Sequence, residues 1–309
     1  MRRAYWSPRY YADIGSHVMP IRKFELVARS IAGAGLPIDV LEPQRASDAD
    51  ILRVHSAAYV EAMRTGQPPE LASSQKFPWS PELAEAVRWT NGGCIDALRH
   101  ALDTGVCGNL ASGFHHSHRD RGEGFCTFNG LVVSYERLVA EGRLRRALVV
   151  DMDLHYGNGT AFLLRDRPDL FALSIYGNWY DDNQAARDVR ARRTPDTANS
   201  WSVPVDNGTG REGYLELLEQ HLPLAFERAR PDVVLFQAGA DPLNEDPYSP
   251  LDLDHAALME RDLRVFRACQ ARGVPVMWVL AGGYTPDVNR VVLVHVNTAR
   301  ASVEVFGEG

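Results

Sequence analysis

The chain has 309 residues, of which 45% are hydrophobic and 24% are charged, and its formal net charge is −7. This length and composition indicate a globular protein, and an acidic chain without a run of basic residues argues against nucleic acid as a partner. We expect no membrane span and no signal peptide, because the sequence has no apolar stretch of about 18 residues and no apolar segment after its N-terminal arginines.

The spacing of the cysteines indicates the cellular compartment of the protein. The four cysteines lie far apart without paired spacing, at Cys94, Cys107, Cys126 and Cys269. This pattern argues against a thiolate zinc site or a disulfide framework and is typical of a reducing compartment, so we expect a cytoplasmic protein. The sequence also lacks an internal repeat and a long Pro/Gly/Ser linker, which favours a single domain over residues 1–309.

The predicted elements begin with a helix and continue as alternating strands and helices. Ser80 and Pro81 are typical of an N-cap and a first helical position, and they open a helix that runs to about residue 103. Apolar runs then predict strands at 106–110, 147–151, 170–175, 201–205, 233–238 and 275–281, with helices near 131–141, 214–230 and 252–272. This alternation predicts an α/β fold, a three-layer sandwich with a largely parallel sheet and helices on both faces.

Polar residues follow the predicted strands where a parallel sheet binds its ligands, at the carboxyl ends. Asp153 and His155 come after strand 147–151, and two residues apart in an extended segment they point to the same side. Asp241 follows strand 233–238 within a run of small residues. Each alone would be explained as a solvated strand end or a turn aspartate. Together they supply the three ligands of a catalytic zinc site, with a position left for water.

Two further strand ends carry residues suited to amide hydrolysis. His115 and His116 follow strand 106–110, and Tyr284 follows strand 275–281 after two glycines. Hydrolysis of an acyl bond needs a base, an acid and a donor for the developing oxyanion. Adjacent histidines are commonly surface or N-cap residues, but next to a metal strand they are candidates for acid/base work.

The order of these motifs resembles the histone deacetylase, acetylpolyamine amidohydrolase and acetoin-utilisation family, which has an arginase-like α/β fold. The resemblance covers nearly the whole chain. It is carried by His17-x-x-Pro20-x-x-Lys23, Val54-His55-Ser56-x-x-Tyr59, His115-His116, Gly124-Phe125-Cys126-x-Phe128-Asn129, Asp151-x-Asp153-x-His155-x-Gly157-Asn158-Gly159, Gly239-x-Asp241 and Gly282-Gly283-Tyr284.

The resemblance implies a role for each matched position. It implies one Zn²⁺ per chain, an acid/base pair and a residue that polarises the scissile carbonyl. The metal ligands are then Asp153, His155 and Asp241, the acid/base pair is His115 and His116, and the polarising residue is Tyr284.

Partners of the two histidines are implied in the same way. Asp151 pairs with the first histidine, and Asn158 stands where many members have an aspartate as partner of the second. Because an amide stabilises imidazolium less than a carboxylate does, we expect His116 to be less basic than His115. This departure, together with Tyr156, resembles the class IV histone deacetylases, and that resemblance brings with it removal of long fatty-acyl groups from lysine.

Substrate contacts are also implied by the resemblance. Gly124 and Phe125 match a glycine–aromatic pair, Tyr180 is matched to the opposing aromatic, and Gly283 joins the substrate-binding set. Two facing aromatic rings would form a narrow slot for an aliphatic amide stem. The family also binds a monovalent cation such as K⁺, for which Ser174 is the matching side-chain ligand.

These observations predict a zinc-dependent deacylase for N-acyl-lysine in a peptide or protein, with an acylpolyamine or small N-acyl metabolite as the alternative substrate. A two-manganese ureohydrolase is disfavoured, because Gly157 and Leu243 stand where bridging carboxylates are needed. A non-catalytic reader domain is disfavoured by the intact set of His115, His116 and Tyr284. The oligomeric state stays open.

Overall fold

The computed structural model of the chain describes residues 1–177, 179–181, 184–186 and 197–307, with the backbone alone for 179–181 and 184–186. Over these residues, eight strands form one sheet in which every neighbouring pair is parallel. They are β1 (Arg2–Tyr5), β2 (Ile38–Leu41), β3 (Val106–Ser112), β4 (Ala147–Asp151), β5 (Leu170–Tyr176), β8 (Ser200–Pro204), β9 (Val233–Ala238) and β10 (Val276–Leu280), in the order β2-β1-β3-β10-β9-β4-β5-β8. A separate antiparallel pair joins β6 (Trp179–Asp181) to β7 (Gln184–Ala186).

Helices cover both faces of this sheet. In the described part of the chain they are α1 (Lys23–Gly33), α2 (Asp48–Ile51), α3 (Ala57–Thr65), α4 (Pro69–Ala72), α5 (Pro81–Thr104), α6 (Gly130–Ala140), α7 (Asn158–Leu163), α8 (Arg211–Ala229), α9 (His255–Ala271) and α10 (Val288–Phe306). Alternate residues of a strand point to opposite faces, so Leu148 and Val150 belong to the core cluster that includes α1, α8, α9 and α10, while Ala147 and Val149 belong to the cluster that includes α6 and part of α5. The expected three-layer α/β fold is confirmed.

The predicted elements match the structure closely in the middle of the chain. Strands β4 and β9 have the predicted bounds, and α5 begins as predicted, with the Ser80 hydroxyl accepting a hydrogen bond from the Leu83 amide at 3.0 Å. The sequence did not predict β1, β2 or α10. All four cysteines are buried and unpaired.

Parallel pairing brings the ends of the central strands to one edge. Asp151 at the end of β4 lies in register with Ser174 of β5 and with Gln237 of β9. Ala238 of β9 lies in register with Leu280 of β10. The loops after β3, β4, β9 and β10 therefore start from neighbouring points, and their polar residues can meet.

Among the described residues, no helix combines the length and the apolar character that crossing a bilayer requires.

Candidate metal and catalytic centre

Three potential metal ligands converge at this edge. Asp153 and His155 follow β4, Asp241 follows β9, and their exposed fractions are 2%, 5% and 0%. One ligand atom from each lies within 4.8 Å of the others. The His155 Nδ1 atom is 3.0 Å from Asp241 Oδ2 and 3.3 Å from Asp153 Oδ1. The structure thus brings the three predicted ligands into one group that could hold a metal ion.

The charge balance of this group fits a divalent cation. Burial acts to lower the pKa of His155, but the carboxylates of Asp153 and Asp241 outweigh it and raise that pKa to about 10. Burial and the neighbouring Asp153 carboxylate raise the pKa of Asp241 to about 7. The two buried carboxylates therefore attract a positive charge, and two carboxylate oxygens with one imidazole nitrogen suit zinc.

Backbone amides hold the ligand carboxylates in place. Asp153 Oδ2 accepts a hydrogen bond from the Gly282 amide at 2.8 Å, and Asp153 Oδ1 accepts one from the His155 amide at 2.9 Å. Asp241 Oδ1 accepts a hydrogen bond from the Leu154 amide at 3.0 Å. A Cβ atom at Gly282 would overlap the Asp241 carboxylate, so this close approach of the β10 loop requires glycine.

A buried arginine on α9 connects the two metal-bearing loops, and sequence reasoning missed it. Arg261 Nη1 donates hydrogen bonds to the carbonyl oxygens of Met152 at 3.1 Å and Gly239 at 2.7 Å. Its Nε atom donates to Asp262 at 2.8 Å, and Asp262 accepts a further hydrogen bond from Thr298. An Arg-Asp pair on the apolar face of a predicted helix could have indicated a buried ion pair.

His115 pairs directly with a carboxylate. Its Nδ1 atom is 2.7 Å from Asp151 Oδ2, and its Nε2 atom is 3.6 Å from Asp153 Oδ1. Burial acts to lower the pKa of His115, but the charges of Asp151 and Asp153 outweigh it and raise that pKa to about 8. Asp151 therefore favours the imidazolium form of His115.

His116 pairs instead with an amide. Its Nδ1 atom is 2.7 Å from Asn158 Oδ1, which also accepts a hydrogen bond from the Gly159 amide at 2.9 Å. An amide oxygen only accepts, so His116 carries its proton on Nδ1 and leaves Nε2 unprotonated. Burial and the positive charges of His115 and His155 hold the pKa of His116 well below its ordinary value. This is the order of basicity that the Asn158 amide predicts.

Tyr284 lies beside the ligand group, with its ring centroid 6.3 Å from that of His155. Its backbone amide donates a hydrogen bond to Asp246 Oδ2 at 2.7 Å, and Asp246 Oδ1 accepts one from the Tyr248 amide at 3.0 Å. Burial and then the carboxylates of the ligand group raise the pKa of Tyr284 well above its ordinary value. The phenol therefore stays a hydrogen-bond donor. Asp246, which holds its backbone, was not predicted.

Lys23 supports the turn before Tyr284. The sequence did not indicate this function. The fully buried Lys23 Nζ donates hydrogen bonds to the carbonyl oxygens of Ala281 at 2.6 Å and Gly283 at 3.4 Å. Burial lowers the pKa of Lys23 to about 8, with the nearby carboxylates opposing that shift. Gly283 has φ +139°, and a Cβ atom there would approach Val291 too closely. This position requires glycine.

A cluster of aromatic rings lies beside the site. The Phe125 ring lies 4.7 Å from the His17 ring, 5.7 Å from the Phe77 ring and 6.1 Å from the Tyr284 ring, measured between centroids. Phe125 has φ +64°, an unusual conformation for a bulky residue, and such conformations concentrate at functional sites. Its neighbour Gly124 has φ +52°, and a Cβ atom there would overlap the His116 ring.

Two predicted residues are placed less completely. The side chain of Tyr180 lies outside the described residues, although its backbone belongs to β6. Tyr248 was not predicted, yet its ring lies 6.3 Å from that of His155 and 5.3 Å from that of Tyr284. Ser174 Oγ is buried and has no hydrogen-bond partner among the described residues, so the cation site assigned to it stays a prediction.

Comparisons with known proteins identify the family of this chain. The family model for the histone deacetylase domain matches residues 17–299. An uncharacterized protein of a Picosynechococcus species is 30% identical over 305 residues, which cover 97% of this chain and 98% of that protein. Histone deacetylase 2 of Arabidopsis thaliana is 30% identical over 260 residues, which cover 82% of this chain and 65% of that protein.

A probable deacetylase of Methanothermobacter thermautotrophicus is 28% identical over 288 residues, which cover 88% of this chain and 82% of that protein. The crystal structure of the HDA15 HD domain has a TM-score of 0.79 to this chain at 22% identity, over 99% of this chain and 90% of that one, which shows the same fold. The family model and these relatives together show that the chain belongs to the histone deacetylase family.

Proposed function

We propose that the chain is a zinc-dependent deacylase that hydrolyses the amide bond of N-acyl-lysine side chains. The observation that carries the proposal is the convergence of three buried metal ligands, two histidines with opposite basicity and one tyrosine at a single edge of the sheet. Membership of the histone deacetylase family supports hydrolysis of an acyl amide. The described residues form one ligand group, which supports one zinc ion per chain.

Asp153, His155 and Asp241 would hold the zinc ion. When bound, zinc lowers the pKa of water toward neutrality and polarises a carbonyl group. Three protein ligands leave room in such a site for water and for the substrate oxygen. The neighbouring Gly282 amide keeps the Asp153 carboxylate turned toward the centre of the group.

Proton transfer falls to the unprotonated histidine. His116 Nε2 takes the proton of the attacking water and then delivers it to the leaving lysine amine, as a general base and acid. His115 stays charged against Asp151 and stabilises the negative charge of the transition state. Tyr284 donates its hydroxyl hydrogen to the carbonyl oxygen as negative charge develops there.

A small apolar cavity lies beside Phe125 and is not lined by the metal ligands, the two histidines or Tyr284. Its volume is about 30 Å³, well below the roughly 300–1,000 Å³ of ordinary ligand pockets. Large apolar side chains line it, among them Tyr10, Met19, Phe24, Phe77 and Phe114. The assay with acetyl, octanoyl and myristoyl peptides therefore decides the acyl length.

A monovalent cation is proposed beneath β4. The buried Ser174 Oγ, in register with Asp151, has no hydrogen-bond partner among the described residues. A hydroxyl oxygen buried in this way needs a donor or a cation to compensate for its lost hydration. K⁺ at this position would satisfy it.

The test uses purified protein with its metal content measured, assayed against acetyl-, octanoyl- and myristoyl-lysine peptides and against acetylputrescine. We expect one zinc per chain and hydrolysis of the acyl-lysine peptides. Asp241→Ala should lose metal and activity together. Asp103→Ala is the matched control, because Asp103 is an exposed carboxylate paired with Arg143. Two metal equivalents, full metal occupancy in Asp241→Ala, or turnover of acetylputrescine alone would contradict the proposal.

A further inference from the structure

A further buried carboxylate, that of Glu123, contacts Asn158, the partner of His116. Glu123 directly precedes Gly124 and has an exposed fraction of 7%. Its Oε1 atom accepts a hydrogen bond from Asn158 Nδ2 at 2.6 Å. Its Oε2 atom lies 3.2 Å from His118 Nε2 and 3.2 Å from Arg121 Nη2. Burial opposes ionisation, but these partners outweigh it and lower the pKa of Glu123, so the carboxylate is charged.

The Asn158 amide therefore connects His116 to Glu123. Asn158 Oδ1 lies 2.7 Å from His116 Nδ1, and Asn158 Nδ2 donates to Glu123 at 2.6 Å. If the amide turned over, its NH₂ group would face the Gly159 amide hydrogen and its oxygen would face the Glu123 carboxylate. Both changes bring like partial charges together, so Gly159 and Glu123 fix the orientation of the amide.

We propose that Glu123 is a positioning residue for hydrolysis, whose carboxylate acts through the Asn158 amide to keep His116 protonated on Nδ1 and unprotonated on Nε2. The inference rests on the proposed function. An amide held at its NH₂ end by a carboxylate is polarised toward its oxygen, which strengthens the hydrogen bond that the oxygen accepts. When His116 becomes imidazolium during the reaction, the negative charge of Glu123 stabilises it. The Asn158 amide lies between that charge and the ring.

The turn that carries Glu123 also fixes the ring from the other side. Glu123 and Cys126 exchange backbone hydrogen bonds, with the Glu123 amide donating at 3.1 Å and the Cys126 amide donating at 2.8 Å. This tight turn sets Gly124 against the His116 ring, where a Cβ atom would overlap it. The same turn therefore restrains the ring by contact and restrains its tautomer through Asn158.

The alternative is that Glu123 only ties its own loop to His118 and Arg121. A double variant that exchanges the carboxylate and the amide distinguishes a positioning role of Glu123 from a role in its own loop. Asn158→Asp places two carboxylates against each other, where the wild type has an amide donating to Glu123 at 2.6 Å. Adding Glu123→Gln to Asn158→Asp restores one amide and one carboxylate in exchanged positions, while it removes the charge that His118 and Arg121 contact.

We expect Asn158→Asp alone to lower kcat by about 10- to 100-fold with little change in KM, as for loss of an orienting partner. Glu123→Gln alone should lower kcat by roughly 3- to 10-fold, because the uncharged acceptor holds the amide less firmly. The double variant should exceed Asn158→Asp and return to within about fivefold of the wild type. Losses that multiply, or a double variant no faster than Asn158→Asp, would overturn the role assigned to Glu123.

A spectroscopic measurement keeps this inference separate from the proposed function. In protein labelled with ¹⁵N-histidine, His116 should carry its proton on Nδ1 in the wild type and should populate the Nε2 tautomer in Glu123→Ala. An unchanged tautomer would contradict the positioning role even if hydrolysis were absent. Asp120→Asn is the control, because it makes a carboxylate-to-amide change in the same loop at a side chain that is 67% exposed. It should leave the kcat and the His116 tautomer unchanged.

Discussion

Two adjacent histidines occupy opposite electrostatic environments in this protein. His115 faces the carboxylate of Asp151 at the end of β4, whereas His116 faces the amide of Asn158 at the start of α7. Both side chains are buried to the same extent, with exposed fractions of 3%. The pKa of His115 is nevertheless raised to about 8, while that of His116 is held well below 6.5. Partner chemistry and charge, and not burial, separate their basicities.

This difference follows from the elements that carry the partners. Asp151 belongs to a central strand, where it is fixed by its neighbours in the sheet. Asn158 lies in a loop-to-helix segment and needs Gly159 and Glu123 to hold its amide. One histidine is thus paired with a rigid carboxylate that favours its charged form, and the other is kept neutral with its Nε2 atom unprotonated. The arrangement provides a charged group and a base at adjacent positions.

The largest effect is expected from removing the base. His116→Ala should lower kcat by at least about 10³-fold, and His115→Ala should lower it less, because the unprotonated Nε2 atom of His116 is the base. Metal content should stay normal in both variants, which separates loss of the base from loss of the site. Equal losses, or a larger loss in His115→Ala, would reverse the comparison between the two histidines. Steady-state kinetics with zinc quantification decides between these outcomes.

The second-largest effect is expected from removing the Tyr284 hydroxyl, the hydrogen-bond donor to the oxyanion. Neither histidine has this role. Tyr284→Phe should lower kcat by about 10²- to 10³-fold with KM little changed, because the hydroxyl donates mainly when charge develops in the transition state. The variant should unfold at nearly the wild-type temperature, since the Asp246 contact is made by the backbone amide. If most of the kcat on acetyl-lysine peptide is retained, the charge on His115 or the metal stabilises the oxyanion without this residue.

A smaller effect should follow when the two histidines are given the same kind of partner. Asp151→Asn replaces the carboxylate of His115 by an amide and should lower kcat by roughly 10- to 100-fold, the usual cost of removing an orienting carboxylate. The pKa of His115 should fall, since burial then acts without the nearest opposing charge. Histidine NMR titration in the zinc-loaded protein measures it. A His115 that stays protonated near neutral pH would show that Asp153 alone sustains its charge.

The strands and the residues at their ends were accessible from sequence because both depend on local patterns. Strands β4 and β9 are short apolar runs followed by turn residues, so their bounds were predicted correctly and the positions of Asp153, His155 and Asp241 followed. Strands β1 and β2 were missed because each has only four residues and includes charged side chains, such as Arg2 and Asp39. Alternation that short does not distinguish a strand from a loop.

The supporting residues were not accessible because they act over long sequence separations. Lys23 reaches the carbonyl of Ala281 across 258 positions of the chain. Glu123 and Arg261 act through hydrogen bonds made only once the loops after β3, β4 and β9 have met. No local spacing marks a single charged residue as buried. The family resemblance identified the motif residues, and the tertiary structure identified the residues that hold them in place.

The smallest predicted effect is the acidic limb of the pH profile, which tests the neutral state of His116 directly. A general base must be unprotonated, so the rate is lost as the pH falls through its pKa. Since the pKa of His116 lies below 6.5 and a bound dication adds to the positive charges that lower it, more than half of the base is active at pH 6.5. A base with the pKa of about 8 found for His115 would keep roughly 3% of its maximal rate there. We therefore expect kcat/KM on acetyl-lysine peptide to fall less than about twofold between pH 8 and pH 6.5.

Zinc content must be measured at each pH, because protonation of the ligands also releases metal. A fall of tenfold or more with zinc retained would mean that His116 is as basic as His115, and that the Asn158 amide does not distinguish them.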